Sequence, residues 1–406
     1  MASLRLGLIR ERKEPSDRRV ALSPYQCKTI LAHYPELDIK VEPSEERAFR
    51  DEEYRYFQIP VESDMSDRDL LLGIKEVPPE ALIPAKTYSF FSHTIKEQPH
   101  NRDLLRAVLE KRIRLIDPEV MTDTMGRRII GFGCYAGIVG AYNGFLAFGQ
   151  RKGLYELPPA HRCKDRRELD EHLKKVELPP HFKTAITGRG RVGKGAREIV
   201  ETIGIREVSS QELKEERFEE PVFAQLDSQD FHHRIDGGVW DHDLFHQDPS
   251  RFTSDFLPFA QAIDLLIAAH YWDPEAPVFY TAAQVNDPSF RIDTVADVSC
   301  DVEGPLPTTL RVSTIDDPLY GYDPISGKET DPMDPDAVCV MAVDNLPGEL
   351  PRDASEAYGR SLIERVIPAF MGNDEEGILE RATIARNGEL TEAFSYLNDY
   401  VEGVNS

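Results

Sequence analysis

Five cysteines in 406 residues, at positions 27, 134, 163, 300 and 339, are few and odd in number, and no two are spaced as CxxC. This excludes a disulfide framework and a finger-type structural zinc, and it points to reduced thiols in a cytoplasm. No apolar run reaches the roughly 18 residues that a membrane helix needs. The start, Met1-Ala2-Ser3-Leu4-Arg5, lacks a charged head, apolar middle and small-residue cleavage site, so no secretory leader is expected. Positive charge is also scarce: Lys and Arg number 48 against 72 Asp and Glu, a formal net charge of −24. That argues against nucleic acid and anionic membrane as partners and for a solvated, salt-tolerant acidic surface. Repeats and low-complexity tracts are absent as well. What remains is a hydrophobic content of 40%, enough for two or three globular domains with sizeable cores.

The first part alternates strand and helix patterns. Leu4 to Ile9 reads as a strand, Ser23-Pro24 as a helix cap with proline in the first turn, and Leu37 to Val41 as a short alternating strand. Further strand patterns end at Lys75 and His93, and a helix over 101–111 leads to the strand Ile113 to Ile116. Such alternation predicts a parallel sheet with helices on its faces. From Gly133 to Phe148 the chain is apolar, rich in Gly and Ala and free of proline, which predicts a long, closely packed helix crossing between domains. Residues 152–180 read as an exposed connection, and a second α/β unit starts at Thr184. Residues 221–258, rich in His, Asp and aromatics, match no clear pattern. A late strand covers Val338 to Val343, and from Ala354 onward the pattern is mostly helical.

Two apolar runs end on a base. Leu70-Leu71-Leu72-Gly73-Ile74 leads to Lys75, and Tyr88-Ser89-Phe90-Phe91-Ser92 leads to His93. Ligands of open α/β sheets bind beyond the carboxyl ends of strands, so parallel neighbours would bring Lys75 and His93 to one crevice. A desolvated lysine and a histidine both exchange protons near neutral pH, which suits general acid–base chemistry. The plainer alternative is a snorkelling lysine and an ordinary loop histidine.

Thr184-Ala185-Ile186-Thr187 leads into Gly188-Arg189-Gly190-Arg191-Val192-Gly193 and then a helix pattern. This is G-x-G-x-x-G in its required strand-to-helix context. Gly188 permits the tight turn, Gly190 lets backbone approach a pyrophosphate, and Gly193 allows close helix packing, with Arg191 and Val192 in the same turn. The second strand reads as Ile205 to Val208. Glu207 or Glu212 would then serve NAD, whereas Ser209-Ser210 would tolerate the 2′-phosphate of NADP, so both cofactors stay open. Among the other basic positions, Arg19, just before a helix, and Arg128, beside apolar residues, are candidate carboxylate clamps. Lys96 follows His93 by three residues and is placed to face the same crevice. His232, His233, His242 and His246 cluster with Asp241 and Asp243, and a surface loop outweighs a metal site there.

The segments Arg19-Val20-Ala21-Leu22-Ser23-Pro24, Gly73-Ile74-Lys75-Glu76, Phe90-Phe91-Ser92-His93-Thr94-Ile95-Lys96, Gly126-Arg127-Arg128 with Phe132 to Gly137, Ala296 to Asp301, and Asp344-Asn345-Leu346-Pro347 with Leu350 to Ser355 carry a family resemblance over nearly the whole chain. The sequence resembles the lysine-forming saccharopine dehydrogenases and the lysine–2-oxoglutarate reductase half of the bifunctional lysine-degrading enzyme. Alanine dehydrogenases and the related transhydrogenase domain share several of these motifs; the segments around His93 and Arg128 favour the saccharopine side. The resemblance implies an α/β fold of two Rossmann-like doubly wound domains with a cleft between them. Residues 1–132 plus 346–406 would form the catalytic domain and 133–345 the dinucleotide-binding domain. It further implies reversible conversion of saccharopine to lysine and 2-oxoglutarate with NAD or NADP, a small amino-acid substrate and no metal. Lys75 and His93 would be the catalytic pair, Arg19, Lys96 and Arg128 would bind the substrate carboxylates, and Glu119 would tune Lys75 by charge. An alanine dehydrogenase-like enzyme and a non-catalytic cofactor-binding protein are the alternatives.

Overall fold

The computed structural model describes residues 4–14 and 16–403. The chain divides into two compact units, Met1–Phe132 with Pro351–Ser406, and Gly133–Leu350. In the first, strands β1 (Arg5–Leu8), β2 (Asp38–Val41), β3 (Leu70–Leu72), β4 (Thr87–Ser89) and β5 (Arg114–Ile116) are all parallel, in the order β2-β1-β3-β4-β5. Leu70, Leu71 and Leu72 are all buried, because a central parallel strand is covered on both faces; hence the unbroken apolar run. This order is doubly wound, with its topological switch point between β1 and β3.

Near the carboxyl end the mostly helical expectation holds over 351–370, 378–381 and 392–402, with one hairpin as the exception. Thr383–Arg386 and Glu389–Leu390 form an antiparallel hairpin that extends the sheet beyond β5. Its turn is Asn387-Gly388, with φ of 55° and 91°, and an Asn-Gly pair between two short strands favours such a turn.

The second unit contains β6 (Lys183–Thr187), β7 (Arg206–Glu207), β8 (Val222–Leu226), β9 (His232–Arg234), β10 (Phe252–Ser254), β11 (Leu265–Ala268), β12 (Thr294–Asp297), β13 (Leu319–Asp323), β14 (Lys328–Thr330) and β15 (Val338–Met341). Its main sheet runs β14-β13-β15-β12-β11-β6-β8-β7, and β13 and β14 are its antiparallel members. The segment that defied assignment supplies β8 and the small antiparallel ribbon β9–β10. The expected second strand is displaced. Val222–Leu226, buried throughout, is the neighbour of β6, whereas Arg206 and Glu207 are exposed and form only a two-residue edge strand.

The helix Gly133–Lys152 lies wholly in the second unit and packs against the helix Arg191–Ile203. Glycine makes the approach possible: a Cβ on Gly137 would stand 1.9 Å from the carbonyl oxygen of Val192, and one on Gly195 2.0 Å from that of Cys134. The chain returns to the first unit at Pro351 rather than at Leu346. Leu346 and Leu350 bury in the second core, and Glu349 accepts a hydrogen bond from Asn143 at 2.8 Å, which keeps this stretch with the second unit. Among the described residues no helix is long and apolar enough to cross a membrane.

Gly137→Val should destabilise the protein by at least the roughly 1–3 kcal/mol typical of an overpacked core. The measurement is a lowered urea midpoint at unchanged slope.

Candidate active site and dinucleotide fingerprint

In the first unit β3 and β4 are parallel neighbours, and their pairing continues past the regular strands. Gly73 N–H donates to Ser89 at 3.0 Å and Phe91 N–H to Ile74 at 3.0 Å. Lys75 and His93 therefore emerge from adjacent strand ends beside the switch point. Glu76 links the two segments: its Oε1 lies 2.5 Å from His93 Nδ1, and Lys13 Nζ stands 3.2 Å from Oε2. Burial alone would raise Glu76, but the His93 hydrogen bond and the nearby positive charge hold its carboxyl down at about 2. An ionised Glu76 only accepts, so Nδ1 of His93 is the donor of this pair and Nε2 is the ring nitrogen outside it.

Lys75 is pushed below its ordinary value first by burial, then by the positive charges of Arg19 and Lys13; Asp17 and Glu76 oppose them. Across the switch point, the loop after β1 supplies Glu11, a residue that the sequence did not single out. Its carboxylate accepts from Ile74 N–H at 2.7 Å and Lys75 N–H at 2.8 Å, and so fixes the backbone beneath Lys75. Burial, with Asp17 adding to it, raises Glu11 to about 8 despite these two donors.

Glu119 stands just past the strand that follows His93, as expected. It follows β5, two strands from Lys75, and its partner is Lys96, with Nζ 3.4 Å from Oε1; its Oε2 is buried without a hydrogen-bond partner among the described residues. The charges acting on Lys75 come instead from its own end of the sheet. Arg19 is buried and makes a fork on Asp17, at 2.9 Å from Nε and 2.5 Å from Nη2, while its guanidinium lies 4.2 Å over the Phe132 ring. Arg19 is thus committed within its own loop. Arg128 is exposed, with Nε bonded to the Ile130 carbonyl at 2.9 Å and the guanidinium 5.4 Å over Phe91. Phe91, Phe132 and Tyr358 form one cluster, with Phe132 and Tyr358 stacked at 4.6 Å, so both arginines rest on a shared aromatic platform.

In the second unit the fingerprint sits at the switch point between β6 and β11. Gly188 has φ of 89°, and a Cβ there would stand 2.8 Å from the Ala269 carbonyl oxygen. A Cβ on Gly193 would stand 2.1 Å from the Gly188 carbonyl oxygen, so helix and turn meet backbone to backbone. A Cβ on Gly190 would meet nothing within 4 Å. Gly190 caps the helix Arg191–Ile203, whose first turn holds Arg191, Val192 and Gly193; the open space therefore lies at a helix N-terminus, the geometry that accepts a pyrophosphate. Gln225 braces the turn by donating to the Gly188 carbonyl at 2.9 Å.

The acid that follows the strand beside β6 is Asp227, which the sequence reading passed over because that strand was misplaced. Glu207 is occupied by Arg197 at 2.6 Å, and Glu212 closes a cap on Ser209. Asp227 follows β8 directly, is partly exposed, and has Arg189 Nε 4.0 Å away. His232 and His233 lie on β9, while His242 and His246 share the helix His242–Gln247 with ring centroids 4.4 Å apart. Among the described residues no three His, Cys, Asp or Glu side chains are grouped to hold a metal.

Comparison with known proteins agrees with this architecture. Residues 7–139 match the family model "Alanine dehydrogenase/PNT, N-terminal domain". An L-alanine dehydrogenase structure superposes with a TM-score of 0.67 over 99% of this chain and 100% of that one, at 16% identity. The protein thus has the doubly wound, two-unit fold of alanine dehydrogenase. In sequence it is similar to the saccharopine dehydrogenases and α-aminoadipic semialdehyde synthases. The NAD(+), L-lysine-forming saccharopine dehydrogenase of Schizosaccharomyces pombe is 27% identical, over 88% of this chain and 91% of that protein. The mitochondrial α-aminoadipic semialdehyde synthase of Mus musculus is 29% identical over 97% of this chain but 47% of that protein. The chain spans about half the length of the synthases it matches.

Gly190→Val should leave thermal stability near wild type, since its Cβ would meet nothing within 4 Å, yet weaken nicotinamide-dinucleotide binding at least tenfold. Fluorescence titration with reduced cofactor, beside a thermal melt, checks both halves of this expectation.

Proposed function

We propose that the protein is a lysine-forming saccharopine dehydrogenase working in a cytoplasm. Its reaction would convert saccharopine, oxidised cofactor and water to lysine, 2-oxoglutarate and reduced cofactor, reversibly. The observation that carries the reading is the pair of bases at adjacent strand ends, one a lysine with lowered proton affinity and the other a histidine braced by an ionised glutamate. The relatives that span most of this chain support the same reaction.

The dinucleotide, when bound at the fingerprint, supplies a nicotinamide that accepts or returns the hydride. Lys75 takes the proton from the secondary amine as its carbon–nitrogen bond is oxidised to an imine. His93 Nε2 draws a proton from the water that adds to the imine carbon, passes it to the imine nitrogen to complete the carbinolamine, and then takes the carbinolamine hydroxyl proton as the carbon–nitrogen bond breaks. Lys75 returns a proton to the departing lysine nitrogen. Arg128 and Lys96 offer positive charge to the substrate carboxylates, with Arg19 contributing from behind its bond to Asp17.

The same reading favours NAD over NADP. An acid at the end of the strand next to β6 hydrogen-bonds a free ribose 2′-hydroxyl and repels a 2′-phosphate, and Asp227 holds that place.

Oxidation of reduced cofactor should require lysine and 2-oxoglutarate together, and turnover with pyruvate and ammonia alone would instead make the protein an alanine dehydrogenase. Lys75→Met and His93→Gln should each lower kcat by about 10²–10⁴ while cofactor affinity stays near wild type.

NADH should outperform NADPH in kcat/KM. Asp227→Ala should narrow that preference about 5–150-fold by costing roughly 1–3 kcal/mol of NADH binding.

A further inference from the structure

One buried carboxylate in the first unit remains without a part in the chemistry. Asp117, just past β5, is fully buried, as are Ser92 and Thr94. Its Oδ2 accepts from Ser92 N–H at 2.9 Å and from Ser92 Oγ at 2.6 Å, and its Oδ1 accepts from Glu119 N–H at 2.8 Å. Ser92 Oγ also lies 2.8 Å from Thr94 Oγ1. These contacts bracket His93, the residue between Ser92 and Thr94, which is held at φ 52° and ψ 13°. A histidine in the left-handed region is strained and persists only where its surroundings dictate it.

The Asp117 backbone is itself anchored, its N–H donating to the Ala382 carbonyl at 2.9 Å. The same carboxylate therefore ties the end of β4 to the end of β5, and with them Lys96 to Glu119. No cation pairs with Asp117 among the described residues; two N–H groups and one hydroxyl satisfy it. Three hydrogen bonds of a buried acid spent on two strand ends form a clamp, and what the clamp presents is the His93 ring at 2.5 Å from Glu76.

We propose that Asp117 is a positioning residue for His93: by gripping Ser92 it holds the turn in the conformation that sets Nδ1 against Glu76 and leaves Nε2 facing the substrate. This inference rests on the saccharopine dehydrogenase reading for the role of His93, although the placement of the ring is a separate matter. In Asp117→Asn the shape is preserved, but the amide nitrogen must face donors on one side of the clamp. Ser92→Ala removes one of the three hydrogen bonds and keeps the two main-chain ones, which makes it the milder variant.

The test joins two readouts. The first uses protein labelled with nitrogen-15 in histidine, without substrate. Wild type should show a strongly downfield Nδ1–H signal that is lost in His93→Gln and in Glu76→Gln; Asp117→Asn should lose it, and Ser92→Ala should weaken it. The second readout is kinetic. Asp117→Asn should lower kcat by about 10–100-fold with NADH affinity unchanged and should add little further loss in a His93→Gln background, since residues that act through one group are not additive. A retained downfield signal in Asp117→Asn, or losses that multiply with those of His93→Gln, would overturn the assignment. If wild type failed to turn over lysine with 2-oxoglutarate, the functional reading would fall while the resonance still decided the placement.

Discussion

Parallel pairing is the constraint on which the candidate site depends. Each crossover between parallel strands returns the chain to the same edge of the sheet, so the carboxyl ends of β1, β3, β4 and β5 collect along one rim. Glu11, Lys75 with Glu76, His93 with Lys96, and Glu119 come from four separate stretches of sequence, yet each is the first or near-first polar residue after an apolar strand. Their proximity is a property of the sheet, and the turns only adjust it. The fingerprint in the second unit obeys the same geometry, with Gly188 following β6 at its own switch point.

Charge is organised in a way that the net figure conceals. On a chain carrying 24 formal negative charges, the acids around the first rim are spent on backbone N–H groups or on fixed cations. Glu11 holds two amides, Asp117 holds two amides and a hydroxyl, Asp17 holds Arg19, and Glu76 holds His93 with Lys13 close by. A carboxylate so occupied acts as scaffolding. Lys96 and Arg128 are both exposed, Lys96 paired with Glu119 and Arg128 resting over Phe91.

Much of this was legible in the sequence, for reasons that can be named. The unbroken Leu70-Leu71-Leu72 run marks a strand buried on both faces, and the bases that close the β3 and β4 runs mark its functional rim. The glycine fingerprint was readable because every glycine meets a local steric demand. Residues decided by distant partners were not readable. The place of Glu119 just past β5 was readable, but its partner Lys96, 23 positions away, was not. Asp227 was missed because the exposed Arg206-Glu207 pair resembled a second strand as well as the buried Val222–Leu226 did, and only pairing distinguishes them. The bond between Glu76 and His93 spans 17 positions and leaves no periodic trace.

The division of the chain carries a consequence for its biosynthesis. The second unit is one uninterrupted stretch, whereas the first is assembled from both ends of the sequence. A ribosome releases β1 to β5 early, but the strand Thr383–Arg386 that covers the open side of β5 emerges only after the whole second unit has been made. For most of synthesis the early sheet therefore carries a bare edge, the kind of surface on which chains pair wrongly. The later unit holds all its own strands and is free to fold while that edge waits. Truncation near the carboxyl terminus would thus strike the half of the protein translated first.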